Sequence, residues 1–295
     1  MRVLVSGPRG GIGCRLVAAL TARGDEVVGL SRTPVPGGVA WDPEAGDLDP
    51  APLEGFDAVV HLAGESIDGR WTRSHRDRIR ASRVVSTSLL ASALARLDSP
   101  PGVLVNASAI GFYGNRPGET LTEASPPGVG FLAEVCTDWE MATAAAARAG
   151  IRVAMARTGL VLDGTTGALP RMIRLTRLYL GGRIGSGRQM WSWIDIADEV
   201  AALTHLIDEP LEGPVNLTSP EPVSQDGFAR ALRRAVGRRV GLPAPGWAIS
   251  LALGEMGEAL LLSDTAVVPT VLEASGFEFT QPDLAGALDT ELGRI

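Results

Sequence analysis

The chain has 295 residues, 45% of them apolar, which is enough to bury a large core in one big domain or in a large domain with a smaller partner. Its net charge of −7 and pI near 5.1 argue against nucleic acid or an anionic membrane as a partner, since both need a basic face. Two cysteines, Cys14 and Cys136, and three scattered histidines exclude a disulfide framework and argue against a metal centre, while all 27 basic residues are arginine, which excludes lysine chemistry.

Arg2 to Ser6 reads as a strand, followed by Gly7, Gly10 and Gly13 and by a helix from about Gly11 to Arg23. Each glycine has a physical reason: Gly7 allows a sharp turn, Gly10 allows close approach of backbone to a pyrophosphate, and Gly13 allows close packing of helix on strand. Arg9 and Ile12 lie in the same loop, and the helix N-terminus offers unpaired N–H groups to phosphate. No signal-peptide pattern and no apolar run of ~20 residues stands out, so the expected location is cytoplasmic.

Glu26 to Leu30 is a second strand, ending at Ser31-Arg32. An NAD site usually has an acidic residue there for the ribose 2′-hydroxyl; a hydroxyl beside a guanidinium suits a 2′-phosphate instead. NADP(H) is therefore expected over NAD(H), with Arg9 also in reach, unless both arginines are ordinary surface residues. Thr33 to Gly38 is a Pro/Gly loop, Val39 to Trp41 a short strand, and Asp57 to Leu62 a buried one running into Ala63-Gly64, whose small residues admit the cofactor. His61 on that strand reads as a packed residue. Thr72 to Leu97 is a long helix, Val103 to Asn106 a strand, Gly111 to Gly130 an irregular loop expected to face substrate, Phe131 to Arg148 a helix and Ile151 to Ala156 a strand.

Strands alternating with helices imply right-handed crossovers, hence an α/β fold with a doubly wound parallel Rossmann sheet. That domain is expected over about residues 1–165, its sheet borrowing from about 190–217, with a smaller C-terminal substrate lobe over about 166–295 and a distinct tail at about 243–290. In the lobe, Leu169 to Leu180, Ile196 to Ile207, Gln225 to Val236, Gly246 to Gly254 and Asp264 to Ala274 read as helices, and Met190 to Asp195 and Val215 to Leu217 as strands.

The three glycines, His61-Leu62-Ala63-Gly64, Asn106-Ala107-Ser108 and Trp193 to Asp198 together resemble the extended short-chain dehydrogenase/reductase superfamily. Ala63-Gly64-Glu65, Ser82-Arg83, Arg157 to Leu162, Gly181 to Gln189 and the tail resemble its atypical epimerase family proteins. That resemblance implies a catalytic serine at Ser108. The superfamily's tyrosine and lysine places fall on Leu132 and Cys136, so the usual proton-handling pair is missing. Its supporting asparagine becomes Arg83, which either holds cofactor or an oxyanion, without transferring a proton near neutral pH, or is an ordinary solvated helix arginine. Cys136 is either a replacement acid or nucleophile, or a buried small hydrophobe. Tyr113 is either a proton donor or a residue packed at the cleft. Arg188, Trp191 and Trp193 fall where such proteins bind substrate, with packing as the alternative for the tryptophans; Glu65 and Trp71 match the narrow group without an evident role.

The implied activity is an NADP(H)-dependent oxidoreductase passing hydride to a small carbonyl or related acceptor. A nucleotide-sugar epimerase or dehydratase using NAD, and a sensor or scaffold that binds NADP(H) without turnover, are the alternatives. Superfamily members often dimerise through two long helices, here near residues 72–97 and 131–148.

Overall fold

In the computed structural model, which describes residues 1–33 and 36–293, the strands are β1 (Arg2–Ser6), β2 (Glu26–Ser31), β3 (Val39–Ala40), β4 (Ala58–His61), β5 (Val103–Ala109), β6 (Thr120–Leu121) and β7 (Arg152–Thr158). They continue with β8 (Leu160–Leu162), β9 (Met190–Trp191), β10 (Trp193–Asp195), β11 (Gly213–Leu217), β12 (Val223–Ser224) and β13 (Ala266–Val267). Seven of them form a sheet in the order β11-β7-β5-β4-β1-β2-β3, every neighbour parallel. Part of the expected Pro/Gly loop, residues 34 and 35, lies outside the described residues.

The alternation along each strand sets the layers. Val3 and Val5, Val103 and Val105, Ala154 and Ala156 face one side and pack on α1 (Gly11–Arg23) and α6 (Ile196–Asp208). Leu4, Val59, Leu104 and Val153 face the other, under α2 (Arg73–Leu94), with Ala146 of α4 (Ala144–Arg148). Side chains at i and i+2 share a face of a strand, and both faces here are apolar, as a doubly covered parallel sheet requires. α3 (Phe131–Met141) lies beside α2, where Arg80 and Asp138 form an ion pair. The chain reverses direction across the sheet between β1 and β4, which opens a crevice at the carboxyl ends of those two strands.

The sheet takes β11 from beyond residue 165, and α6 packs on it. A further apolar core gathers Leu162 of β8, Leu169 and Ile173 of α5 (Leu169–Arg177), Phe228 and Leu232 of α7 (Gln225–Ala235), Trp191, Trp193 and Leu288. Three readings change. Met190 to Asp195 is two short strands rather than one, β9 pairing with β12 and β10 with β8. Residues 131–148 form two helices rather than one. The stretch Asp264 to Ala274 is not a helix throughout: Ala266–Val267 pairs with Thr120–Leu121, and a helix runs only over Thr270–Ala274. Pro269 explains this, because a residue preceding proline is driven out of the helical region. The pairing ties the long loop after β5 to the tail, assisted by Arg116 N to Asp264 O at 2.8 Å.

Glu199 in the first turn of α6 is buried, with one oxygen accepting from Thr158 Oγ1 at 2.9 Å and the other without a partner. Burial pushes its carboxyl up to about 8. The folded state therefore holds a proton that the unfolded state releases above its ordinary 4.5, and stability falls as pH rises through this window and levels off above it. Urea unfolding should show a loss on the order of 2 kcal/mol between about pH 5.5 and 7.5 that Glu199→Gln removes. An unchanged slope in the variant would assign the loss to other groups.

Candidate functional site

The glycine loop lies at the carboxyl end of β1. Gly7 has φ +69° and turns the chain after β1, and Gly10 N donates to Gly7 O at 3.0 Å. α1 then begins at Gly11 with no side-chain cap and no acidic residue in its first turn, so its leading N–H groups and partial positive charge remain available to an anion. A Cβ at Gly13 would stand 2.2 Å from Gly7 O. The close approach that Gly13 permits is thus between the helix and the loop carbonyl, rather than between helix and strand. Ile12 packs on the sheet core.

A brace from far along the chain covers this helix start. Thr166 Oγ1 would be 2.4 Å from a Cβ at Gly11. Asp163 holds Thr166 at 2.9 Å and takes both Nε and Nη2 of Arg15, at 2.9 and 2.8 Å. Burial alone would push the Asp163 carboxyl up; Arg15 and the Thr165 and Thr166 donors overcome it and hold the group well below the usual carboxylate range. The 148-residue separation between Arg15 and Asp163 leaves no local pattern by which sequence could reveal the pair.

Ser6 sets the next turn. Its oxygen accepts from Leu62 N at 3.0 Å and Ala63 N at 3.2 Å, and lies 2.5 Å from His61 Nδ1. With both amides donating, the one hydroxyl proton is left for His61. The imidazole is wholly buried, with Nε2 3.3 Å from Ser86 Oγ, and burial pushes its pKa down to about 4. It is a neutral strand residue. Ser6 is therefore the residue that carries Leu62, Ala63 and Gly64 into the crevice, a role no sequence signal announced.

Arg83 reaches the same place from α2. Its guanidinium carbon would be 3.5 Å from a Cβ at Gly64, and Nη1 donates to Glu65 O at 3.0 Å and Ile79 O at 3.1 Å. Trp139 stacks 5.1 Å from it. Burial lowers its pKa, with Cys136 and Glu65 acting against that; an arginine stays cationic at neutral pH even so.

Ser108, near the end of β5, donates to Glu140 Oε1 at 2.7 Å. Glu140 also takes Arg157 bidentately, Nε to Oε1 and Nη2 to Oε2, both at 2.8 Å. Arg157 Nη1 donates to Tyr113 Oη at 2.9 Å, and Tyr113 donates to Asn216 Oδ1 at 2.7 Å. Asn216 Nδ2 reaches Val268 O in the tail at 3.0 Å. A serine bonded in this way points its proton at a carboxylate and keeps its oxygen as an acceptor.

The expectation that Tyr113 or Cys136 supplies a proton is not met by this geometry. Tyr113 is wholly buried and its hydroxyl is spent inside the network; burial raises its pKa, against the pull of Arg157. Cys136 is buried too, and desolvation, aided by Glu140, pushes its thiol up to about 12. Such a thiol is a small hydrophobe. The members that sequence reasoning did not select are Glu140 and Arg157. An arginine at the end of the apolar run Ile151 to Ala156 was the available signal, because a charge buried in a sheet needs an opposite partner.

At the end of β2, Ser31 Oγ donates to Thr33 O at 2.6 Å. Arg32 is exposed, its Nη1 3.8 Å from Glu44, and Arg9 is exposed without a hydrogen bond or ion pair among the described residues. β2 ends without an acidic residue. Trp191 and Trp193 both pack in the core around Phe228, whereas Arg188 is exposed. Trp71 Nε1 donates to Ile67 O at 2.8 Å and its ring meets Phe131 edge-on, while Glu65 lies 3.4 Å from Arg78.

Comparison with known proteins agrees with this architecture. Residues 3–218 match the NAD dependent epimerase/dehydratase family and residues 244–291 a domain of unknown function, DUF1731. Epimerase family protein Mb2239 of Mycobacterium bovis is 42% identical over 290 residues, 97% of this chain and 96% of that one. Epimerase family protein SDR39U1 of Homo sapiens is 36% identical over 296 residues, 98% of each chain. The crystal structure of the human protein's isoform 2 with NADPH superposes with a TM-score of 0.92 at 33% identity, covering 100% of both chains. MoeE5 in complex with UDP-glucuronic acid and NAD shares the fold, with a TM-score of 0.79 at 22% identity over 99% of this chain and 98% of its own. The glycine loop, the parallel sheet and the tail thus have one common explanation: the chain belongs to the NAD dependent epimerase/dehydratase family, in the atypical extended short-chain dehydrogenase/reductase group.

Proposed function

We propose that the protein is an NADP(H)-dependent oxidoreductase acting between a small carbonyl compound and the corresponding alcohol. The observation that carries this reading is the uncapped, acid-free N-terminus of α1 behind a loop in which Gly7 turns at positive φ and Gly13 leaves no space for a side chain. The amides of Gly11, Ile12 and Gly13 would hold the pyrophosphate. Leu62, Ala63 and Gly64 would line the dinucleotide with backbone. Arg32 and Arg9 would meet the 2′-phosphate, with Ser31 keeping the end of β2 free of negative charge. The NADPH bound by the human relative is consistent with this.

The dinucleotide, when bound, supplies or accepts the hydride. Arg83, beside Gly64, would help to hold the dinucleotide. Ser108 handles the proton in place of the missing tyrosine: in the oxidising direction its oxygen takes the substrate hydroxyl proton while its own proton passes to Glu140, and reduction reverses both transfers. Arg157 holds Glu140 in place for this exchange.

Calorimetric titration tests the cofactor assignment. NADPH should bind about tenfold or more tighter than NADH, and Arg32→Ala should remove about 1.4 kcal/mol or more of that preference. A carbonyl screen at NADPH saturation should then give turnover of order ~1 per second. Equal or tighter binding of NADH would overturn the 2′-phosphate site. A second reading, a sugar-nucleotide epimerase or dehydratase, draws on the family match; it requires NAD retained through purification and conversion of a sugar nucleotide.

A further inference from the structure

The acidic net charge hides a segregation. From Gly164 to Ile194, and again from Gly227 to Gly254, the chain carries ten arginines and not one acidic residue, in a protein with 34 acidic and 27 basic side chains. The fold brings the two segments together. Leu242 N donates to Tyr179 O at 2.7 Å, Ala244 N to Arg183 O at 2.8 Å, and Gly185 N to Ala244 O at 2.9 Å. Arg238 Nε donates to Arg177 O at 3.2 Å, with its guanidinium 5.1 Å over the Tyr179 ring.

The same two segments hold most of the exposed apolar surface. Of twelve large apolar side chains exposed among the described residues, eight lie here, including Tyr179, Leu180, Leu242, Trp247 and Leu251. Trp247 and Leu251 are 71% and 73% exposed, one turn apart on α8 (Gly246–Leu253), a helix with no buried residue. On the same lobe a depression of about 590 Å³ is lined by Arg230, Arg233, Arg234, Arg238 and Arg239. Arg230 is paired with Asp226, and Arg233 and Arg238 reach backbone carbonyls. Arg234 and Arg239 have no carboxylate partner among the described residues.

We propose that this face of the C-terminal lobe docks on the surface of an anionic phospholipid bilayer, its Trp and Leu side chains entering the acyl boundary and its arginines meeting headgroup phosphates. Exposed apolar groups concentrated on one face mark an interaction site. Tryptophan and leucine beside arginine are the composition of an interfacial surface. An anionic bilayer presents one sign of charge, and this face carries a net excess of the other: Arg171 is paired with Asp68 and Arg230 with Asp226, while the other eight arginines of the two segments have no carboxylate partner among the described residues. No helix among the described residues is long and apolar enough to cross a membrane, so the contact is peripheral. It departs from the expectation drawn from net charge because beyond a Debye length of about 10 Å the acidic remainder of the chain is screened.

The test is co-sedimentation of the full chain with vesicles of phosphatidylglycerol and phosphatidylcholine, against phosphatidylcholine alone. Binding should need the anionic lipid and weaken with salt. Trp247→Ser with Leu251→Ser, and separately Arg234→Glu with Arg239→Glu, should each weaken it about tenfold or more. All four side chains are exposed, and unchanged thermal unfolding and NADPH titration would report intact folds. Absence of binding to anionic vesicles, or binding unchanged in either double variant, overturns the proposal. So does a light-scattering dimer that both double variants convert to monomer, which would assign the face to a second copy of the chain.

Discussion

Gly13→Ala is expected to cost about 3 kcal/mol or more of folding stability and to abolish NADPH binding. By helix propensity alone the change should help by about 1 kcal/mol, since alanine is the better helix former. Position decides otherwise. The new Cβ would lie 2.2 Å from Gly7 O, 3.1 Å from Gly7 C and 3.2 Å from Pro8 Cα, all of them backbone atoms of the phosphate loop. None of these is the end of a flexible side chain, so the helix or the loop must move. Gly10→Ala is the control, because its Cβ would meet Gly7 O at 3.3 Å and needs only a small adjustment. Urea unfolding and calorimetry of both variants check this; a Gly13→Ala protein as stable and as tight for NADPH as the parent would show that the loop yields freely.

Arg157→Met should cost about 3–5 kcal/mol, because it strands the Glu140 carboxylate in the interior. Arg157 and Glu140 expose 4% and 10% of their side chains, and the guanidinium also sits 3.5 Å from the Phe112 ring centre. The pair joins β7 to α3, and through Tyr113 and Asn216 it reaches the tail at Val268. The larger part of the cost is the uncompensated charge rather than lost attraction. Adding Glu140→Gln to Arg157→Met should therefore restore at least about half of the stability, measured as a double-mutant cycle by urea unfolding. Additive losses in the double variant would mean that packing, and not charge, makes Arg157 necessary.

Residues of the candidate site differ in how far apart their partners lie. Gly7, Gly10 and Gly13 are close in sequence, so their spacing brings the phosphate loop into view. Leu62, Ala63 and Gly64 follow a strand whose apolar run is plain. Arg83 and Ser108 come from resemblance, and the structure places Arg83 under Gly64 and Ser108 on Glu140. Tyr113 and Cys136 stand out by residue type, and type alone cannot distinguish a hydroxyl or thiol at a cleft from one buried in a core. Glu140, Arg157, Asp163 and Ser6 gain their roles only from partners distant along the chain.

The parallel α/β sheet is legible in the linear chain, because periodicity and turn residues are local properties and buried strands must alternate with helices to be covered on both faces. So is the absence of any lysine that could complete the usual catalytic set. Three-dimensional packing is needed to say which charges are paired, which pKa values move, and where the surface is both basic and apolar. Each of these depends on burial and on distances between residues far apart in the chain, and the energy of a charge or a hydroxyl is set by that surrounding rather than by its sequence neighbours.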